Sequence, residues 1–165
     1  MMTGFSEYTA VYLKAAELFV GQEPAVVSTV LGSCVAVTMF HRHLVVAAIC
    51  HALLPTYSEK TAHNFNGAER FRYVNRVIPE MVKQLQSYGA KPKEIEVKLF
   101  GGAEMFGRRD GERNTHSVGA QNITAAVKGI ESEGLQLKIA DIGGLFGRKI
   151  LFHTHTGEVL LKYLK

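Results

Sequence analysis

A chain of 165 residues with 47% hydrophobic and 21% charged side chains can close one core without staples, so the sequence reads as a single domain over residues 1–165. Lys and Arg exceed Asp and Glu by 19 to 15, and apart from Arg108-Arg109 the basic residues are scattered, which argues against a nucleic-acid footprint. Two cysteines give no disulfide framework, the longest apolar run is too short to span a bilayer, and the Met-Met-Thr-Gly-Phe-Ser-Glu-Tyr start lacks a secretory signal, so a soluble cytoplasmic protein without membrane insertion is expected.

Residues 1–24 carry one clear signal, a short opening strand at Thr9-Ala10-Val11-Tyr12-Leu13, and Gln22-Glu23-Pro24 ends whatever precedes it. Ala25 to Leu31 is apolar and β-branched, hence a strand. Gly32 permits a sharp turn, Val35 to Phe40 resumes as strand, and a third strand is expected from Leu44 to Leu54, closed by Pro55. Their near-continuous apolarity predicts a sheet covered on both faces. Thr56 to Gly67 reads as a loop. From Ala68, Phe71, Val74, Val77, Ile78, Met81, Val82 and Leu85 fall at helical spacing, with Pro79 expected to kink or break the helix and Gly89 to stop it. Glu94 to Leu99 alternates as a half-buried strand ended by Gly101-Gly102, and Phe106 to His116 is a second long loop. A second helix starts near Gly119 and ends by Gly134; Leu135 to Ile142 is a strand, and Lys149–Phe152 with Glu158–Leu164 make a closing hairpin.

Chemistry concentrates between Ser28 and Pro55. A Gly32-Ser33-Cys34 corner puts a thiol at the mouth of one strand, and His51 stands at the end of the other; a neighbouring imidazole can take a thiol's proton at neutral pH. Backbone N–H groups at such a corner can face an oxyanion, with Ser33 beside them. The competing reading is that Cys34 is a small buried hydrophobe and His51 a satisfied core group. Cys50 points to the opposite face from His51 and is a core residue on this reading. His41-x-His43 and His153-x-His155 each pair two rings, but no further ligands complete a zinc set, so they read as exposed turn histidines and no metal is expected. Gly101-Gly102 and Gly143-Gly144 lack a phosphate-loop pattern and there is no Gly-x-Ser-x-Gly elbow, so neither a nucleotide cofactor nor a serine hydrolase is indicated.

Taken together, Leu31-Gly32-Ser33-Cys34-Val35-Ala36-Val37, His51-Ala52-Leu53-Leu54-Pro55, Phe100-Gly101-Gly102-Ala103-Glu104-Met105-Phe106, Val118-Gly119-Ala120-Gln121-Asn122, Asp141-Ile142-Gly143-Gly144 and Gly147-Arg148-Lys149 resemble, in order, the motifs of the CheD chemoreceptor deamidases. That resemblance implies an α/β (α+β) layered sandwich of mixed and antiparallel sheet with two main helices, related to cytotoxic necrotizing factor deamidases. It implies hydrolysis of receptor glutamine side chains by a Thr-Cys-His set without a cofactor, acting on chemoreceptor cytoplasmic domains, with a CheC phosphatase as partner; the thioester route such a set would use could also accept a glutamyl methyl ester. By motif position the nucleophile is Cys34 and the base His51. The family's threonine falls on Ser28 here, six residues before the cysteine, so Ser28 is expected to orient His51 as the third member of the set, with the adjacent Thr29, on the opposite face of a regular strand, as the alternative. Gln121 stands where the family has arginine.

Overall fold

The computed structural model describes residues 8–60, 67–105 and 116–165. Two sheets and two helices stack in three layers. The first sheet has four strands in the order β1 (Thr9–Tyr12), β3 (Ala25–Leu31), β8 (Gly147–His153) and β9 (Val159–Leu164). The second has five, in the order β2 (Leu18–Gly21), β5 (Val46–Cys50), β4 (Val35–His41), β6 (Ile95–Gly101) and β7 (Leu137–Ile142). β1 runs parallel to β3 and β6 parallel to β7; the other pairings are antiparallel. The mixed sandwich expected from the sequence is therefore the observed class.

Side-chain alternation sorts the core into two slabs. Val35, Val37 and Met39 of β4, Val46, Ala48 and Cys50 of β5, and Val97 and Leu99 of β6 face helices α1 (Val74–Ser87) and α2 (Val118–Ser132). Their alternates, Ala36, Phe40, Ala47, Ile49 and Phe100, pack against Ala25, Val27, Leu31, Ile150 and Phe152 of the four-stranded sheet. β4 and β5 lie in the middle layer and are buried at every position, as their unbroken apolarity predicts. β3 differs from that expectation. Only Ala25, Val27, Thr29 and Leu31 are buried, because its other face lies outside the sandwich.

Three further differences have local causes. The run Leu44–Leu54 is strand only over Val46–Cys50: Val45 has a left-handed φ of 51°, and beyond Cys50 the amides of Leu53 and Leu54 both turn to the Arg72 carbonyl. Pro79 does not break α1, which runs from Val74 to Ser87 after a 3-10 turn at Gly67–Arg72; six buried side chains on one face hold the helix across the lost bond. β2 escaped the sequence reading because only four residues carry it, none of them fully buried. α2 begins at an N-cap, Ser117 Oγ accepting the Ala120 N–H at 3.1 Å. No helix among the described residues is long and apolar enough to cross a membrane. The loops expected over Thr56–Gly67 and Phe106–His116 lie partly outside the described residues.

Candidate active site

β4 and β5 form an antiparallel hairpin whose register continues past the strand ends through a bridge between Val35 and Ala52. That register sets His51 opposite Ala36. Cys34, two residues before Ala36, is then the diagonal neighbour of His51 on the same face, a spacing within reach of an imidazole. The face is the one turned toward the four-stranded sheet, since Ala36 and Ile49 belong to the inter-sheet slab and Cys34 packs against it. Cys50, one residue from His51, is fully buried in the opposite slab under the helices. Its burial pushes its thiol up to about 12, so it stays protonated.

The third partner arrives from the other sheet. Thr29 is fully buried, and its Oγ1 lies 2.7 Å from His51 Nδ1 and donates to the Leu13 carbonyl at 2.8 Å. A hydroxyl has one proton. With that proton on Leu13, the ring must donate to the oxygen, so Nδ1 carries the hydrogen and Nε2 is left as the free base. The ring is thus oriented by Thr29, not by Ser28. The reason is the pleat: Ser28 is the alternate residue and points to the half-buried outer face of β3. The backbone around the ring is fixed as well. The turn joining β1 to β2 receives the His51 N–H on the Glu17 carbonyl and returns the Ala16 N–H to the His51 carbonyl. Ala16 turns there with a left-handed φ of 68°, an uncommon conformation for a residue with a Cβ.

Burial also sets the protonation state. Cys34 is partly exposed, and desolvation raises its thiol above the ordinary value of 9.0, offset in part by its own backbone N–H. Desolvation lowers His51 below its ordinary value of 6.5, partly offset by the Leu13 backbone carbonyl near the ring. Both displacements favour the uncharged forms, so the resting pair is a thiol and a neutral imidazole.

The corner carrying the thiol is braced by Gly101 to Ala103. The Gly102 N–H donates to the Cys34 carbonyl at 2.8 Å and the Ala103 N–H to the Gly32 carbonyl at 2.9 Å. Gly101 has a φ of 103°, and a Cβ there would run into the Cys34 carbonyl. The glycine pair that ends β6 thus lets the two backbones approach this closely. The Ser33 and Cys34 N–H groups donate to no backbone carbonyl among the described residues. The Ser33 carbonyl accepts from the buried Asn122 of α2, a residue to which the sequence alone assigns no separate role. Its signal was a polar residue on the apolar Gly119-Ala126-Ile130 face of the helix.

No cluster of three or more His, Cys, Asp or Glu among the described residues could hold a metal. His41 is not an exposed turn residue. It is buried, with Nε2 2.8 Å from Glu94 Oε2 and Nδ1 accepting the Leu44 N–H, because its ring closes the β4–β5 turn. His43 is exposed, and His153 and His155 are half-buried, His155 stacking on Tyr8 at 4.3 Å.

Comparison with known proteins gives a concordant result. A family profile described as "CheD chemotactic sensory transduction" matches residues 53–163. A Geobacter sulfurreducens protein named probable chemoreceptor glutamine deamidase CheD 2 is 46% identical over 93% of this chain and 89% of its own length. Proteins named probable chemoreceptor glutamine deamidase CheD from Maridesulfovibrio salexigens and Methanococcus maripaludis are 37% and 32% identical, over 97% and 91% of this chain and 95% and 92% of their own. By sequence along nearly its whole length, this chain belongs to the CheD family.

Proposed function

We propose that this protein hydrolyses glutamine side chains of chemoreceptors to glutamate, with Cys34 as nucleophile, His51 as general base and acid, and Thr29 as the residue that holds the ring. The observation that carries it is the Thr29–His51 contact at 2.7 Å, which leaves Nε2 free of that bond on a ring that shares one face of the β4–β5 hairpin with the partly exposed Cys34, its diagonal neighbour. Cys34 Sγ attacks the amide carbon while His51 Nε2 takes the thiol proton. The carbon–nitrogen bond breaks as the imidazolium returns that proton to the departing ammonia, leaving a thioester on Cys34. Water then attacks the thioester, His51 takes its proton and passes it to sulfur, and the product is a glutamate. The Ser33 and Cys34 N–H groups hold the developing oxyanion. A glutamyl methyl ester can enter the same route, losing methanol in place of ammonia.

Mass spectrometry of a receptor cytoplasmic fragment tests the proposal, since each conversion of amide to acid adds about one dalton. The wild-type protein is expected to shift selected glutamines and Cys34→Ala none. Ammonia release from receptor by Cys34→Ala overturns the mechanism. An inert wild-type protein that instead binds a CheC phosphatase tightly replaces catalysis by an adaptor role.

A further inference from the structure

We propose that Asn122, on α2, is a positioning residue that sets the separation of Cys34 and His51; the inference rests on the assignment of those two residues as nucleophile and base. Asn122 has no exposed surface, although burying a primary amide is costly unless it is hydrogen-bonded. Its Nδ2 spends both hydrogens across the fold, donating to the Ser33 carbonyl at 2.9 Å and to the Leu53 carbonyl at 3.0 Å. Ser33 immediately precedes Cys34, and Leu53 follows His51 by two residues. The amide therefore ties the thiol-bearing segment to the imidazole-bearing one.

Why a side chain is needed there follows from the ladder. Val35 and Ala52 exchange both backbone hydrogen bonds, so in a regular antiparallel pair the next such exchange would join Ser33 and Leu54. It does not form, because the Leu53 and Leu54 amides go to the Arg72 carbonyl and the Ser33 corner leaves for the other sheet. The strands splay just where Cys34 and Leu53 face each other. Asn122 fills the opening with a two-pronged donor. Its orientation is fixed, since both neighbours are carbonyls and the oxygen cannot face either; Oδ1 has no partner among the described residues. Gly119, one turn earlier, lets α2 come this close, for a Cβ there would meet the Gly102 and Ala103 carbonyls at 2.5 Å.

The test separates positioning from mere stability. Alkylation of Cys34 by iodoacetamide, followed against pH, needs no receptor. In the wild-type protein the rate should rise in two limbs, one below pH 6.5 as His51 becomes able to accept the thiol proton and one above pH 9.0 as the thiol ionises alone. Asn122→Ala should lose the lower limb, and on a receptor fragment its kcat should fall by about 10- to 100-fold with KM little changed. Asn122→Ser, whose single shorter donor can serve one carbonyl at most, should show the same loss and decides the matter if the alanine variant does not fold. Ile130→Ala, a core truncation on the same helix, should be destabilised yet keep both limbs. Folded Asn122 variants that retain the lower limb and kcat, or an Ile130→Ala protein that loses them equally, overturn the proposal. A wild-type protein without the lower limb would instead remove the Cys34–His51 assignment on which it rests.

Discussion

Replacing Thr29 by valine keeps the shape of the side chain and removes its oxygen, which isolates the hydroxyl's part in the site. In the reaction the ring that Thr29 holds becomes an imidazolium, so the Nδ1–H bond to Oγ1 is a neutral contact at rest and charge-assisted in the transition state. A bond to a charged group contributes about 1.5–3 kcal/mol and a neutral one about 0.5–1.5, so the part made only in the transition state is about 1–1.5 kcal/mol, and at 1.36 kcal/mol per decade its loss should lower kcat about 5- to 13-fold. Water cannot easily substitute, because Thr29 is 0% and His51 7% exposed. The same change deprives the Leu13 carbonyl of its donor, so stability should drop by about 1–3 kcal/mol in urea unfolding. Thr29→Ser should recover most of both losses, and Ser28→Ala should leave kcat within about twofold, since surface-facing changes of this size are near neutral. The assay is steady-state deamidation of a receptor fragment, with urea denaturation of each variant in parallel. A Thr29→Val protein with wild-type kcat, or a Ser28→Ala protein with the large loss, would refute the assignment of Thr29.

Four other outcomes follow from the same geometry. Because His51 is lowered below 6.5 by burial, kcat/KM should hold through neutral pH and fall only as the pH drops under that value. Linkage has the same sign: the folded protein binds its His51 proton less readily than the unfolded chain, so that part of its stability is present above pH 6.5 and lost as the pH falls through the lower folded value, a component that His51→Gln should remove from the urea midpoint. Cys50 works in the opposite direction, since its thiol is raised from 9.0 to about 12; stability should decline above pH 9.0 by up to about 4 kcal/mol, and Cys50→Ala should flatten that decline. Gly101→Ala, which forces a Cβ against the Cys34 carbonyl at a φ of 103°, should cost at least about 2 kcal/mol in urea and lower activity with it.

The parts legible in the sequence are those where one residue's chemistry or a regular period decides. The periods of β3 and α1, and the glycine after α1, follow from backbone and burial rules that act over a few neighbours. That Cys50 and His51 face opposite ways follows from the pleat alone. Legibility ended where long-range contacts decide. Nothing within β3 says which face meets the other sheet; the five-stranded sheet covers the side that carries Thr29 and leaves Ser28 on the other. His41 looked like a turn residue because its partner, Glu94, lies 53 positions away. Asn122 was visible only as a polar interruption on an apolar helix face, and the two carbonyls it serves lie 89 and 69 residues before it.

The construction of the site has a consequence for how activity is lost. Cys34 immediately precedes β4, His51 immediately follows the neighbouring β5, and Thr29 reaches His51 from the second sheet through the slab formed by Leu31, Ala36, Ile49 and Phe152. No single sheet holds the set, so the site exists only while the sheets are packed on each other. A cavity in that slab loosens the Thr29–His51 contact directly, whereas one under the helices acts on it only through the middle layer. Phe152→Ala and Ile78→Ala both remove large buried side chains and should each cost about 3–5 kcal/mol or somewhat less. At equal residual stability, the Phe152 variant should retain less activity per folded molecule, with its acid limb displaced upward toward the ordinary histidine value as water reaches His51. Equal activity and identical pH profiles in the two variants would mean that the ring is held by its own backbone contacts with Ala16 and Glu17, and that the second sheet contributes only stability.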